Sequence, residues 1–185
     1  MLKVVNVPDP ILGKPVKPVK KIDGKIIKLV KEMEKTLVAQ NDPPGVGLAA
    51  PQIGYDLALF IIKPTPESKT EIFINARILK IEKSTETLTD KTSGKKNKKL
   101  KKGTPLEGCL SIPRIWSPVK RPEKILIEYQ IITGEKKTRW VSGFEATIIQ
   151  HEVDHLNGIL FTQRSLEQNI PLFEEKEGEL HRLKY

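Results

Sequence analysis

The spacing of hydrophobic positions predicts a first helix near the start of the chain. Apolar residues recur there every three or four positions, which places them on one face of a helix. These residues are Ile26, Val30, Met33 and Leu37. Asp23 precedes them and can accept hydrogen bonds from the first free N–H groups. Pro43 and Pro44 cannot continue a helix, so we expect it to end before them.

Strands are expected in the middle of the chain. Residues 57–62 (LALFII) and 71–83 (EIFINARILKIEK) are rich in β-branched and aromatic residues. The segments KILIEYQIIT and KKTRWVS lie on either side of Gly134 and are typical of a hairpin. No internal repeat is present.

A second helix is predicted at residues 142–158 (SGFEATIIQHEVDHLNG). Ser142, with Glu145 three residues later, matches a capping box, and Gly158 is placed to end the helix. Strands followed by a late apolar helix favour an α+β fold over alternating strands and helices. At 185 residues we expect one domain, residues 1–185, with a low-complexity basic insertion at about 84–104.

Composition narrows the class of protein. Hydrophobic residues make up 38% and aromatic residues 5%, so the core is expected to be aliphatic. No apolar run approaches the roughly 18 residues of a membrane span, and the first residues match neither a signal nor a transit peptide. A single cysteine excludes an intrachain disulfide framework. We therefore expect a cytoplasmic protein without membrane contacts.

The positive charge is unevenly distributed. Residues 90–102 hold seven Lys and one Asp, a net charge of +6, which leaves +3 of the total of +9 for the rest of the chain. The segment lacks aromatic residues that would stack on bases. It is interpreted either as a solvated loop, the reading that we favour, or as a contact with RNA phosphates.

The late helix carries the pair that suggests chemistry. His151 and His155 lie about one turn, or ~6 Å, apart on one face, so both imidazoles can reach one metal ion. Glu152 is rotated by about 100 degrees from His151, away from a ligand position but beside a water on the metal. The alternative is a polar stripe facing solvent.

Two histidines leave a catalytic metal site incomplete, because such sites usually have three protein ligands. Acidic residues, His181 and the single cysteine, Cys109, are the candidates for the third. His181 lies in a charged tail and is expected to be exposed. Asp154 is expected to point away from the histidine face and to orient a neighbouring residue.

Three segments in order resemble the peptide deformylase family: GVGLAAPQIG (45–54), EGCLS (107–111) and QHEVDHLNG (150–158). The first has glycines that allow a ligand close to the backbone but lacks the Lys-Ser/Thr of a phosphate loop. Weaker similarities, such as VPDPIL and RPEKILIEYQ, extend the resemblance over about residues 4–164. The chain departs from the family pattern at three places. Ala76 follows Asn75 where the family usually has proline, the insertion is longer and more basic than expected, and RIWSP at 114–118 is unusual.

The resemblance implies a fold, a metal and an activity. The fold is α+β, with antiparallel strands packed around a central helix that carries the H-E-x-D-H motif. Cys109, His151 and His155 would hold one divalent ion, Fe²⁺ in the cell, with Zn²⁺, Ni²⁺ or Co²⁺ able to replace it. The activity would be hydrolysis of the N-formyl group of N-formylmethionyl nascent peptides, with release of formate.

The resemblance also implies roles for individual residues. Glu152 would transfer the proton, while the side-chain amide of Gln52 and the N–H of Leu110 would stabilise the oxyanion. The peptide would pair as an added strand near Val46, Gly47 and Gly108. The lining proposed for the methionine pocket is Gly45, Val46, Phe144 and Ile148.

The sequence leaves two alternatives open. One is a different metallohydrolase, such as a peptidase that uses the H-E-x-x-H helix. The other is a module without enzyme activity that binds RNA or the ribosome through the lysine-rich insertion. The protein is expected to be a monomer.

Overall fold

Two antiparallel sheets organise the chain. The structure, a computed structural model, describes residues 1–42, 44–82 and 103–184. The first sheet has the spatial order β1, β2, β3, β6, β7. Its strands are β1 (Gly47–Ala49), β2 (Leu59–Ile62), β3 (Glu71–Glu82), β6 (Lys124–Gln130) and β7 (Lys136–Ser142).

The second sheet is smaller and has the order β4, β5, β8, β9. Its strands are β4 (Glu107–Cys109), β5 (Ile112–Ser117), β8 (Phe173–Lys176) and β9 (Glu179–Arg182). Within the described residues β1 ends the first sheet and β4 ends the second, so each strand has one edge that pairs with no other strand. Backbone groups along such an edge remain able to bind another extended chain.

Three α-helices and two 3-10 turns complete the described fold. The helices are α1 (Gly24–Val38), α2 (Gly143–Leu156) and α3 (Phe161–Glu167), and the turns are Pro10–Gly13 and Ala50–Ile53. Helix α2 packs on the first sheet through a core that contains Ile149, Phe60 and Phe73. The rings of Phe60 and Phe73 stack with centroids 4.7 Å apart. Burial of such side chains contributes about 1.5–3 kcal/mol each.

Helix α1 covers a second core, on the other side of the first sheet. All four apolar residues predicted to share its face are buried: Ile26, Val30, Met33 and Leu37. The Asp23 side chain accepts hydrogen bonds from the N–H groups of Lys25 and Ile26, which confirms the predicted cap. The helix ends at Val38, before the two prolines.

The predicted hairpin around Gly134 is also confirmed. Strands β6 and β7 pair without interruption from Lys124 opposite Ser142 to Gln130 opposite Lys136.

The predicted capping box at α2 is wrong. Ser142 makes no side-chain hydrogen bond to the helix end, and Glu145 instead pairs with Arg139 at 2.6 Å. The physical reason is competition: the guanidinium of β7 attracts the carboxylate more strongly than a backbone N–H does. Gly158, with φ of +69°, follows the helix end as predicted.

The lysine run at 90–102 and most of the predicted insertion lie outside the described residues. In the remainder, no helix has both the length and the hydropathy needed to cross a membrane. The antiparallel sheets with a central histidine-bearing helix agree with the predicted α+β class.

Candidate active site

Helix α2 and strand β4 bring three metal-binding side chains together. The donor atoms of Cys109, His151 and His155 all lie within 4.8 Å of one another. Cys109 Sγ is 3.2 Å from His155 Nε2, and the two imidazole rings meet edge to face with centroids 4.9 Å apart. All three residues are buried. Within the described residues, Cys109 is the candidate for the third ligand whose donor atom groups with those of both histidines.

Local strand geometry explains the position of the cysteine. Cys109 is the last residue of β4, and the register of its pairing with β5 shifts there. Cys109 lies opposite Ile112, whereas regular antiparallel pairing would place it opposite Ile115. A register shift of this kind re-aims the side chain at the end of a strand. His181 lies on β9 and is exposed, as predicted. The alternative of a solvent-facing polar stripe is wrong, since the polar residues of α2 from Gln150 to His155 are buried.

The donor set fits a divalent transition metal. A thiolate and two imidazoles are ligands that such ions prefer, and three protein donors leave a coordination position open. Burial lowers the pKa of His155, and the charge of His151 lowers it further. A neutral imidazole is the form that binds a metal.

Glu152 lies beside this cluster with an oxygen that has no partner. The residue is 3% exposed, and its Oε2 makes no hydrogen bond within the described structure. Burial raises the pKa of Glu152 to about 7, which suits a group that exchanges protons near neutral pH. A side chain at position 47 would collide with Glu152 Oε1, so glycine at that position keeps space around the carboxylate.

Gln52 reaches the cluster from the turn that follows β1. Its Oε1 accepts a hydrogen bond from the N–H of Ala49 at 2.8 Å, which fixes the amide. Its Nε2 donates to Cys109 Sγ at 3.4 Å. The amide nitrogen therefore points at the metal-binding atoms, where a developing negative charge on a substrate could also receive a hydrogen bond.

A chain of charged side chains stands behind His151. Glu107 Oε1 accepts a hydrogen bond from His151 Nδ1 at 2.7 Å, and both Glu107 oxygens receive hydrogen bonds from Arg121. Arg121 continues to Asp154 at 2.9 Å, and Asp154 also pairs with Arg164. Because Glu107 accepts a hydrogen bond from Nδ1–H, it favours the neutral tautomer of His151 whose Nε2 lone pair is available to a metal.

The sequence pattern predicts this chain of side chains only in part. Asp154 was predicted to point away from the histidine face and to orient a neighbour, and it holds Arg121. No role is predicted from the sequence for Glu107 or Arg121, although both lie in segments that resemble the family. Burial would raise the pKa of Glu107, but hydrogen bonds from Arg121 and His151 outweigh it and lower the pKa to about 2.

A cavity of about 620 Å³ opens in front of these groups. Both free strand edges contribute to its wall, β1 through Gly47 and β4 through Glu107, Gly108 and Cys109. Every site residue predicted from the sequence lines it except His155, which lies deeper: Gly45, Val46, Gly47, Gln52, Gly108, Cys109, Leu110, Phe144, Ile148, His151 and Glu152. Trp116 and Val119 also line the cavity and were not predicted.

Comparison with protein families agrees with this geometry. A family model described as polypeptide deformylase matches residues 1–169. The chain belongs to the polypeptide deformylase family. A peptide deformylase of Desulfotalea psychrophila is 38% identical over 174 residues, which cover 92% of each chain. One from Dictyoglomus turgidum is 38% identical over 95% of this chain and 99% of its own.

Solved deformylase structures share the fold. The peptide deformylase of Thermotoga maritima superposes with a TM-score of 0.73 at 34% identity, over 89% of this chain and 97% of its own. A peptide deformylase from Synechococcus elongatus, in complex with actinonin, also has a TM-score of 0.73, at 32% identity over 91% and 82% of the two chains. The predicted family and fold class are therefore confirmed, and so is the class of enzyme, a deformylase-type hydrolase.

Proposed function

We propose that this chain removes the N-formyl group from the N-terminal methionine of newly made polypeptides and releases formate. The observation that carries the proposal is the buried cluster of Cys109, His151 and His155 beside the unpartnered carboxylate oxygen of Glu152. Hydrolysis of an amide at neutral pH needs an activated water and a proton carrier, and this arrangement offers a place for both.

Cys109, His151 and His155 would hold one divalent ion, Fe²⁺ in the cell. When bound, the ion would supply an activated water and polarise the formyl oxygen. Zn²⁺, Ni²⁺ or Co²⁺ would suit the same three donors in a purified sample. An iron-loaded sample is expected to lose activity in air faster than a zinc-loaded one, because ferrous iron and its thiolate ligand oxidise.

The remaining steps fall to side chains of the chain itself. Glu152 would accept a proton at the attacking water and pass it to the leaving amine, a transfer helped by a pKa near neutrality. The side-chain amide of Gln52 and the backbone N–H of Leu110 would donate hydrogen bonds to the oxyanion of the tetrahedral intermediate. Glu107 would keep His151 in the tautomer and orientation that the site needs.

The peptide would bind as an added strand between the two sheets. The edges of β1 and β4 are unpaired within the described residues and both face the cavity. A substrate strand could hydrogen-bond near Val46 and Gly47 on one side and Gly108 on the other. Pairing through the backbone is blind to side chains, which suits an enzyme that acts on many proteins. The methionine side chain would pack against Gly45, Val46, Phe144 and Ile148.

Metal analysis combined with formate release tests this function. The protein would be prepared with Fe²⁺ or Zn²⁺ under nitrogen, and formate measured with formyl-Met-Ala-Ser as substrate. We expect one ion per chain and turnover that stops on chelation and returns with metal. Acetyl-Met-Ala-Ser serves as a matched control for formyl selectivity. Cleavage of the Met-Ala bond instead of formate release would favour the peptidase alternative.

We also propose that residues 1–185 form a single catalytic domain, which acts as a cytoplasmic monomer. Although the sequence of the lysine-rich insertion favours a solvated loop, we propose that the insertion contacts ribosomal phosphates. Positive charge near the start of the chain supports the ribosome contact. Residues 1–40 hold nine Lys and four acidic residues, a net charge of +5. Four of the lysines, Lys21, Lys25, Lys28 and Lys31, lie exposed on or next to α1.

Deletion of residues 90–102 tests the ribosome contact. Steering by charge weakens with salt, since the Debye length is about 8 Å at physiological ionic strength. We expect weaker, less salt-sensitive ribosome binding in co-sedimentation after the deletion, with little change in turnover of a formyl tripeptide. Equal ribosome binding with and without the loop would favour the solvated-loop interpretation.

A further inference from the structure

The indole ring of Trp116 forms a wall of the cavity that the predicted site did not include. Trp116 lies on β5 directly opposite Gly108 of β4. Its six-membered ring covers Gly108 so closely that a Cβ at that position would lie 2.6 Å from Cζ3 and 2.7 Å from Cε3. The ring therefore occupies the space that a side chain at position 108 would fill, and it projects across β4.

The position of β4 gives this projection a consequence. Within the described residues β4 is the outer strand of its sheet, so a peptide added there would lie about 4.8 Å beyond it. Side chains of directly opposed residues in neighbouring strands point to the same face of a sheet. A peptide residue opposite Gly108 would therefore direct its side chain to the face where the ring lies, with no side chain of β4 between them.

The C-terminal hairpin holds the ring in this position. The indole N–H of Trp116 donates a hydrogen bond to Glu175 Oε2 at 2.9 Å. Glu175 belongs to β8, which pairs with β5 through Trp116 and Phe173. The polar edge of the indole is thus fixed on the β8 side, and the apolar edge is left over Gly108 toward the cavity.

We propose that Trp116 and Gly108 form a subsite for one apolar or aromatic side chain of the nascent peptide, downstream of the formylmethionine, and that Glu175 is a positioning residue for this subsite. The inference deepens the proposed function, on which it rests. Backbone pairing would make the enzyme general, while the indole would add a preference for sequences with an apolar residue at one position.

A panel of formyl peptides tests the subsite. In formyl-Met-X-Ser and formyl-Met-Ala-X, X would be Phe, Leu, Gly or Asp, and kcat and KM would be measured on the metal-loaded protein. We expect kcat/KM for Phe to exceed that for Gly by about three- to tenfold at one of the two positions, mostly through KM. The ratio of Phe to Gly cancels general losses of activity and is the quantity compared between variants.

Four variants then distinguish contact between Trp116 and the peptide side chain from a general effect on the fold. Trp116→Ala is expected to bring the ratio close to one, and Trp116→Phe to retain part of it. Glu175→Ala is expected to lower the ratio, whereas Glu175→Gln is expected to preserve it because the amide oxygen can still accept the indole N–H. An unchanged ratio in Trp116→Ala would overturn the proposal, as would a wild-type protein that releases formate without any preference. Absence of formate release from every peptide would instead contradict the proposed function.

Fluorescence offers a test that does not depend on turnover. The chain has two tryptophans, so Trp140→Phe leaves Trp116 as the single indole. In that protein we expect the product peptide carrying Phe at the preferred position to change the emission at lower concentration than its Gly counterpart does. Equal responses to the two peptides would count against contact with the ring.

Discussion

Two groups of buried polar side chains meet at α2 and are treated differently by the fold. Behind His151, the carboxylates of Glu107 and Asp154 are both held by Arg121. On the cavity side, Glu152 Oε2 is buried without a hydrogen-bond partner in the described structure, and so is His155 Nδ1 deeper in the cluster. The first group satisfies its hydrogen bonds within the chain, whereas the second leaves buried polar atoms without a partner from the chain.

The difference distinguishes side chains that hold the histidine in place from side chains that are available to react. A buried ion pair is costly to form, but removal of one partner destabilises a protein by about 3–5 kcal/mol, so the group behind His151 acts as a rigid unit. A buried polar atom that lacks a partner costs about 1–3 kcal/mol. Such a cost is common at sites that bind a ligand or react, where ligand and water satisfy these atoms.

The largest effect is expected from Glu152→Gln. The amide keeps the size of the side chain but cannot accept the proton, so kcat should fall by about 10² or more. Metal content, measured by elemental analysis, should stay unchanged because Glu152 is proposed as base and not as ligand. Glu145→Gln, on the same helix but paired with Arg139, is the matched control and should keep most activity. Near-normal turnover in Glu152→Gln would remove Glu152 from the mechanism.

Cys109→Ser is expected to weaken metal retention. A neutral hydroxyl is a poorer ligand than a thiolate, and Gln52 Nε2 would lose its sulfur acceptor as well. Metal content after dialysis against a weak chelator measures the effect. Ser111→Ala, two residues away in the turn to β5, controls for disturbance of this segment. If Cys109→Ser bound the metal as tightly as the wild type, another residue would have to be the third ligand.

Glu107→Gln should disrupt the ion-paired group behind His151 without removing a metal ligand. We expect metal affinity to fall by about 10- to 100-fold, the usual scale for a residue that orients a ligating histidine. Competition with a chromogenic chelator would measure it. Glu128→Gln removes a partly exposed carboxylate that pairs with Arg77, and its affinity should match the wild type. Equal affinity in both variants would show that Glu107 has no influence on His151.

The last expected effect is a pH dependence of stability in the metal-free protein. The pKa of Glu107 is about 2 in the folded state and ordinarily 4.5. Because the pKa of Glu107 is lower in the folded state, its carboxylate stabilises the fold fully above pH 4.5. This stabilisation is lost as the pH falls through about 2. The full contribution is on the order of 3 to 4 kcal/mol, of which about 2 kcal/mol is lost between pH 6 and pH 3.

Urea unfolding at pH values from 6 down to 3 would measure this contribution. The free energy of unfolding of the wild type should fall more steeply than that of Glu107→Gln over the lower part of this range. Parallel curves would mean that Glu107 and its partners do not control acid stability.

Much of the site was predictable because its residues are close in sequence. His151, Glu152 and His155 lie within one turn of a helix, so the period of the helix alone places the two imidazoles on one face. The cap at Asp23 and the hairpin at Gly134 were predicted for the same reason, since their hydrogen bonds join neighbouring residues. The capping box failed where a distant residue, Arg139, offered Glu145 a stronger partner.

The sequence by itself determined the helix, its histidines and the order of the three segments that resemble the deformylase family. Tertiary structure decided what meets them: Cys109 approaches His155 from 46 residues away, and Glu107 reaches His151 from 44. It also decided that Trp116 lies over Gly108 with its N–H on Glu175, 59 residues further along the chain. Contacts of this length depend on how two sheets pack around one helix, and local residue patterns do not encode that packing.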